Sequence, residues 1–284
     1  MCYNVAMIAL HRDTFQFEHK TSYGPIKEHY INHMHLEWQL LYLVDGRTSF
    51  FLNNATYQLQ EGDLILIHPL FFHFATPEED LVYERIVINF PEEIIPPVLL
   101  AQLKNLPSFF RLPDDSPIKT LLLYSSDIVK NYSSDDAYFA ITNILNTILL
   151  NLKYHQKNSE YSLEPIVTNI LLKNILDYID NNLVACSNLE NITKHFYIST
   201  SWLAHTFKKY LNITPKQYIN YKKILYSQKL ISTGTHPSIA CLKVGFNDYS
   251  TFYRLYKKFL KTSPQEEYKN RGNNTLPPSK SKAD

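Results

Sequence analysis

Three histidines in the first third of the chain, His33, His35 and His73, are the residues best suited to chemistry. His33-Met34-His35 reads as part of a strand, and imidazoles from neighbouring strands can converge on one ion. The same rings could instead orient a small organic ligand in an apolar pocket, and half-buried strand histidines also occur with neither role. A second cluster lies near the other end. Arg254 and Lys257-Lys258 sit among Phe252, Leu255, Tyr256 and Phe259, which are apolar residues at helical spacing. A guanidinium can bridge guanine O6 and N7, whereas ammonium groups suit phosphates. Beyond these, no catalytic group stands out.

Charge separates the two clusters. Residues 1–164 carry 11 Lys and Arg against 20 Asp and Glu, whereas residues 165–271 carry 15 against 6. An acidic half joined to a basic half implies that only the C-terminal half meets a polyanion. With 45% hydrophobic and 14% aromatic residues in 284, the chain can bury two cores and global disorder is excluded. Cys2, Cys186 and Cys241 are scattered, which favours a reducing compartment over a disulfide framework or a cysteine zinc site. The N-terminal apolar run ends by His11-Arg12-Asp13, too short for a signal-peptide core, and no run of 18 uncharged apolar residues follows. A cytoplasmic protein is expected.

The histidines need a scaffold, and from about residue 31 to 90 the pattern is one of short strands. QLLYLV precedes Asp45-Gly46, TSFFL precedes Asn53-Asn54, and TYQL runs to Glu61-Gly62-Asp63. LILIHP and VYERIVINF follow, so an antiparallel sandwich or small barrel is expected. Helical spacing takes over in residues 117–131 and 136–154, with Ser133 to Asp136 as turn and N-cap. The polar residues 155–164 read as a linker.

In the second half one motif occurs twice. A helix over 166–182 leads to Ser187 and Glu190, which have capping-box spacing. A short helix over 189–196, a turn at Tyr197-Ile198 and a second helix over 199–210 follow. FKKYLNITPKQY from Phe207 then matches YKKFLKTSPQEEY from Tyr256. The offset is 49 from Leu203 and Phe252 onward but 48 upstream, where Thr193 stands opposite Cys241, so the second turn is one residue longer. Residues 215–233 would be a rod between two helix-turn-helix units. Leu203, Phe207 and Tyr210 in one helix, and Phe252, Leu255 and Phe259 in the other, form the expected inner faces. Thr200, Ser201, Ala204 and His205, and Tyr249, Ser250, Tyr253 and Arg254, are left outward. Trp202 is expected to pack rather than to stack on bases.

Two resemblances follow from these motifs. The His-x-His segment, Gly46, Gly62-Asp63-Leu64, Pro69 and His73 resemble a cupin-like sensing domain. Where metal-binding cupins carry a glutamate, the matching position here is Gln39; Glu37 shares its strand parity and could substitute. Gly245-Phe246, Asp248, Ser250, Phe252, Arg254, Lys257-Lys258, Ser263-Pro264 and Tyr268 resemble the DNA-binding domain of the AraC/XylS transcription regulators over residues 166–271. The glycine of the family pattern after each second helix is Asn212 in the first copy and Lys261 in the second.

The resemblance implies an α+β multidomain chain. Residues 1–160 would form a cupin-like β-barrel (about 20–95) with flanking helices (about 116–155), binding effector and dimerising. Residues 166–271 would form an all-α domain with helix-turn-helix motifs at about 188–210 and 237–260, and 272–284 a disordered tail. It places Ser201, Ala204, His205, Tyr249, Ser250, Tyr253 and Arg254 at base-reading positions. Lys208, Lys209, Lys257 and Lys258 would meet phosphate, and His33, His35, Gln39 and His73 would line an effector pocket. The expected function is sequence-specific transcription regulation by an effector such as a sugar or related metabolite. Promoter DNA, a second copy of the chain and RNA polymerase are the expected partners. No cofactor, resident metal, enzymatic activity or membrane association is expected. The residues before Thr21 could act as an arm. The rival readings are a metal-dependent cupin enzyme with an appended helical domain and a protein-interaction module built on degenerate helix-turn-helix units.

Overall fold

The computed structural model describes residues 6–23, 33–53, 55–78, 81–155 and 167–270. Backbone contacts divide the chain into two compact units, with the division between Lys173 and Asn174. The proposed linker beyond residue 155 and the tail lie outside the described residues.

The first unit is built on two antiparallel sheets in a cupin-like arrangement. Its strands are β1 (Ala6–Arg12), β2 (Phe15–Tyr23), β3 (Trp38–Asp45), β4 (Arg47–Leu52), β5 (Ala55–Gln60), β6 (Asp63–Ile67), β7 (His73–Pro77) and β8 (Val82–Phe90). After helix α1 (Pro97–Leu103) come β9 (Phe109–Arg111), α2 (Pro117–Asn131), α3 (Ser134–His155) and β10 (Val167–Thr168). One sheet has the order β1-β2-β8-β3-β6-β9 and the other β10-β5-β4-β7.

Side-chain parity sorts the larger sheet into two faces. Leu40, Tyr42, Leu64, Leu66, Ile86 and Ile88 pack with Leu99, Leu103, Ile118, Leu122, Ile141, Leu145 and Ile148 from the three helices. Leu41, Leu43, Ile65 and Ile67 pack instead with Phe50, Leu52, Leu59, Ala75 and Phe109. Both faces are therefore buried, which explains the near-continuous apolar runs of β3 and β6. Gly46 makes the β3–β4 turn at φ +102, where a Cβ would lie 2.0 Å from the Val82 carbonyl oxygen. Asp63 is fully buried, and Arg111 donates to both its oxygens from Nε (2.9 Å) and Nη2 (3.0 Å), tying β6 to β9.

Three expectations change here. Residues 6–20, expected as part of an arm before Thr21, are not one: β1 and β2 are a hairpin whose second strand pairs with β8 from Gln16 to Tyr23. Leu10, Phe15 and Phe17 seal it into the helix-covered core, so the sheet starts well before residue 20. The helix expected from 166 begins later, because Val167 and Thr168 pair with Thr56 and Ala55 on β5. The His-x-His segment is not a strand, since His33 makes only an isolated bridge to His73.

The second unit is helical: α4 (Ile170–Asn181, most of which lies in it), α5 (Leu189–Phe196), α6 (Thr200–Leu211), α7 (Pro215–Ser232), α8 (Pro237–Lys243), α9 (Tyr249–Leu260) and α10 (Pro264–Asn270). A full capping box starts α7, with Thr214 accepting from the Gln217 amide and Gln217 reaching back to the Thr214 amide. Ile224 and Ile231 of α7 pack with Ala240, Cys241, Val244, Phe246, Phe252 and Tyr256 in one core. Among the described residues no helix is long and apolar enough to cross a membrane.

Candidate functional site

His73 opens β7, and the segment carrying His33 and His35 lies beside it. The His33 amide donates to the His73 carbonyl (3.3 Å) and the His73 amide to the His33 carbonyl (3.1 Å). This bridge brings the three rings together, with centroids 4.3 Å (His33–His73), 5.1 Å (His35–His73) and 5.7 Å (His33–His35) apart. One ring nitrogen from each residue falls within 4.8 Å of the others. His73 is 2% exposed, His35 is half-buried and His33 is the most open.

Backbone carbonyls orient two of the rings. His35 Nδ1 lies 2.8 Å from the Glu37 oxygen and His73 Nδ1 lies 2.8 Å from the Phe71 oxygen, so in each ring Nδ1 carries the hydrogen. The lone pair is then on Nε2, which in both residues is buried with no hydrogen-bond partner among the described residues. Burial first, then the neighbouring His33, pushes His35 down to about 4, against the opposing Glu37 carbonyl and Gln39. Burial likewise holds His73 well below its ordinary value, with His33 and His35 adding to the effect. Both imidazoles are neutral near pH 7.

Gln39 is buried on the β3 face that carries Leu41 and Leu43, and its Oε1 has no donor among the described residues. Glu37 does not fill the role its parity suggested. Its carboxylate lies 3.9 Å from His35 Nδ1, on the side of the ring where its own carbonyl already accepts. Turned to that side, it stays outside the three-histidine cluster.

The two helix-turn-helix units repeat in detail. In the first, the chain leaves α5 through Tyr197 in the left-handed region (φ 54), and the Ile198 amide donates back to the Thr193 carbonyl. In the second, Gly245 (φ 76) is the left-handed residue, and the Phe246 amide donates back to Cys241. Asn247 is the additional residue before the next helix. Ser199 then caps α6 by accepting from the Trp202 amide, while Asp248 caps α9 by accepting from both Ser250 and Thr251. Both second helices end left-handed, at Asn212 (φ 54) and Lys261 (φ 60). The Thr214–Gln217 box has its counterpart in Ser263 and Glu266, which bond reciprocally (2.8 and 3.2 Å).

On α6, Leu203 and Phe207 are buried and Thr200, Ser201, Ala204 and His205 are exposed. Tyr210, an expected core residue, is only half-buried; Thr206 and Leu211 complete the sealed face. On α9, Phe252 is buried and Ser250, Tyr253 and Arg254 are exposed, but Leu255 and Phe259 are half-buried. Tyr256 fills the core in their place, and its hydroxyl donates to Glu267 Oε2 at 2.6 Å. Tyr249 is not outward. It is half-buried, its ring packs 5.5 Å from Phe252, and its hydroxyl is engaged by the Gln265 side chain.

Lys208, Lys209, Lys257 and Lys258 are exposed in the last turns of α6 and α9, where they also complement the helix dipoles. Lys208 Nζ donates to the Asn212 carbonyl (3.3 Å), so it is partly engaged in closing its own helix.

Two buried cations that tie the helical unit together have no motif to announce them. Lys222 and Lys223 of α7 look like surface charge, yet each is 2% exposed. Lys222 Nζ donates to Asp180 on α4 (2.7 Å), while Lys223 Nζ donates to the Gly245 carbonyl (2.8 Å) and to Ser187 Oγ. Ser187 therefore does not cap α5. Asn188 does, its side chain accepting from the Glu190 amide, because Ser187 is drawn into a 3-10 turn and onto Lys223. One ammonium thus joins the lead-in to the first unit with the turn of the second.

A β-sheet unit with a polar cluster and a helical unit presenting two equivalent recognition helices define a two-domain helix-turn-helix transcription regulator. Residues 21–144 match the AraC-like ligand binding domain and residues 192–270 match a helix-turn-helix domain. The chain belongs to the AraC/XylS family of transcription regulators. It is 24% identical over 246 residues to the uncharacterized HTH-type transcriptional regulator YdeC of Bacillus subtilis, covering 82% of this chain and 84% of that protein. The transcriptional regulatory protein HptR of Staphylococcus aureus is 33% identical over 93 residues, covering 32% of this chain and 36% of that protein. Among solved structures, ToxT from Vibrio cholerae aligns at 15% identity and a TM-score of 0.37, covering 90% of this chain and 98% of that chain.

Proposed function

We propose that this regulator binds promoter DNA sequence-specifically through α6 and α9 and is switched by a small molecule held at the histidine cluster. The observation that carries the DNA reading is the paired construction of the two helices: each is capped at its N-terminus, locked by an apolar face, and presents its opposite face to solvent. Ser201, Ala204 and His205 read bases from α6. From α9, Ser250, Tyr253 and Arg254 do so, with Arg254 the principal reader. Tyr249 sets the pose of α9 rather than touching DNA. Lys208, Lys209, Lys257 and Lys258 contact phosphates.

A sugar or related metabolite is the effector class the cupin-like unit suits, with His33, His35, Gln39 and His73 supplying polar anchors. Regulation requires the effector to favour one arrangement of the protein over another. A homodimer would use the exposed apolar side chains of α3, Phe139 (72% exposed) and Leu150 (52%), and the assembly would act as an activator through RNA polymerase. Fluorescence anisotropy with promoter fragments at several salt concentrations tests the DNA reading. With about four phosphate contacts, log K should fall against log salt with a slope of about −4. A flat salt response with no preference over random duplex would refute it.

A further inference from the structure

We propose that His33, His35 and His73 form a three-imidazole site for one late first-row divalent ion, of the Zn2+ or Ni2+ class. For its regulatory meaning the proposal rests on the effector-pocket reading above, and it adds an ion among that pocket's polar anchors, against the expectation of no resident metal.

The geometry supports it in four ways. Three ring nitrogens, one from each histidine, lie within 4.8 Å of one another. Imidazoles bound tetrahedrally to zinc at about 2.0–2.1 Å stand roughly 3.4 Å apart, so the three nitrogens lie within reach of one ion. The Nδ1–H groups of His35 and His73 donate to the carbonyls of Glu37 and Phe71. This is the outer-shell arrangement that fixes a ligating imidazole with its Nε2 lone pair inward. Those two Nε2 atoms are buried acceptors without a donor among the described residues, with the Gln39 side chain beside His35. An unsatisfied buried lone pair is costly, and an ion bound between the two rings would satisfy both. Finally, the space between the sheets is filled by Leu41, Leu43, Phe50, Ile65, Ile67 and Phe109. Phe50 lies nearly parallel to the His73 ring at 6.2 Å. That stacked neighbour helps to hold the His73 ring in position.

The donor set selects the ion. Neutral imidazoles suit Zn2+, Ni2+ and Co2+, whereas Mg2+ and Ca2+ require oxygen ligands. Gln39, where metal-binding cupins have a carboxylate, adds no negative charge, so the centre keeps the full charge of the ion and an open position for water or an anion.

The test uses the full chain, stripped with a chelator and titrated calorimetrically with Zn2+ and with Ni2+, and with Co2+ as a spectroscopic probe. One equivalent should bind, and Co2+ should give the ligand-field bands of a low-coordinate nitrogen site. His35→Gln and His73→Gln should each weaken binding about 100-fold or more. Should these buried changes impair folding, His33→Asn at the open edge provides the same loss in a chain whose melting transition is intact. Failure of the folded, stripped chain to bind an equivalent of any of these ions overturns the site, as does equal binding by all three variants. Operator affinity with and without Zn2+ separates the two claims. One equivalent bound with unchanged DNA affinity upholds the metal site and removes its effector role. No ion bound, with a metabolite shifting DNA affinity in a His73-dependent way, overturns the metal site and keeps the effector pocket.

Discussion

In the first helix-turn-helix unit the chain turns at Tyr197, which is 96% exposed; in the second it turns at Gly245, whose carbonyl is held by a buried ammonium. The motifs are copies in sequence and in capping, yet one turn stands free and the other is part of the core. A Cβ on Gly245 would lie 2.8 Å from Val184 Cγ1 and 3.2 Å from Lys223 Nζ. Duplication has preserved backbone conformation, while the connecting helix α7 has made the second copy the mechanical reference. Left-handed geometry alone tolerates tyrosine; left-handed geometry against a neighbour requires glycine.

The largest expected effect breaks this contrast directly. Gly245→Ala meets both strain and collision, and it should destabilise the helical unit by about 2–3 kcal/mol in thermal unfolding. Tyr197→Ala should stay within about 0.5 kcal/mol. Similar losses at the two positions would mean that Lys223 does not distinguish the turns.

Base reading sharpens the comparison next. Arg254→Ala should relax specificity at one base position by about 1–3 kcal/mol, measured as the ratio of operator to mismatched-operator affinity. His205→Ala should cost less, because the first copy supplies mainly grip. Equal effects would refute the asymmetry.

Capping predicts a smaller difference. Asp248 accepts from two amides at 2.9 Å each and Ser199 from one at 3.0 Å. Asp248→Ala should therefore lower stability by about 1–2 kcal/mol and Ser199→Ala by about 0.5–1 kcal/mol. Smallest of all, Lys261→Gly should raise the melting temperature by relieving its φ of 60°, a gain of about 0.5–1 kcal/mol. Asn212→Gly should change little, since asparagine already tolerates that conformation. Equal gains at both ends would show that the lysine is not strained.

These contrasts also mark where the sequence was readable. Repeated residue types at offsets of 48 and 49 located both motifs, and apolar spacing located α2 and α3, because local patterns specify helices. The β1–β2 hairpin was obscured because His11, Arg12, Glu18, His19 and Lys20 give it the charge of an exposed arm, while only Leu10, Phe15 and Phe17 reveal its buried face. Ser187 and Glu190 satisfied the spacing of a capping box, but a lysine 36 residues away took the serine. Such partners lie outside any local window. The histidine cluster was legible as three residues, yet the carbonyls that orient two of its rings become visible only once the chain has folded.

The strut formed by Lys222 and Lys223 has a consequence for promoters. With α7 fastened at Asp180, Ser187 and Gly245, the two recognition helices keep a set separation and a set rotational phase. On the proposed operator, inserting one base pair between the half-sites turns the second about 35° away around the DNA axis. Single-base changes within a half-site cost the contacts at one position, whereas a one-base insertion moves a whole helix off its groove. Binding sites for this protein should therefore drift in letters far more readily than in spacing.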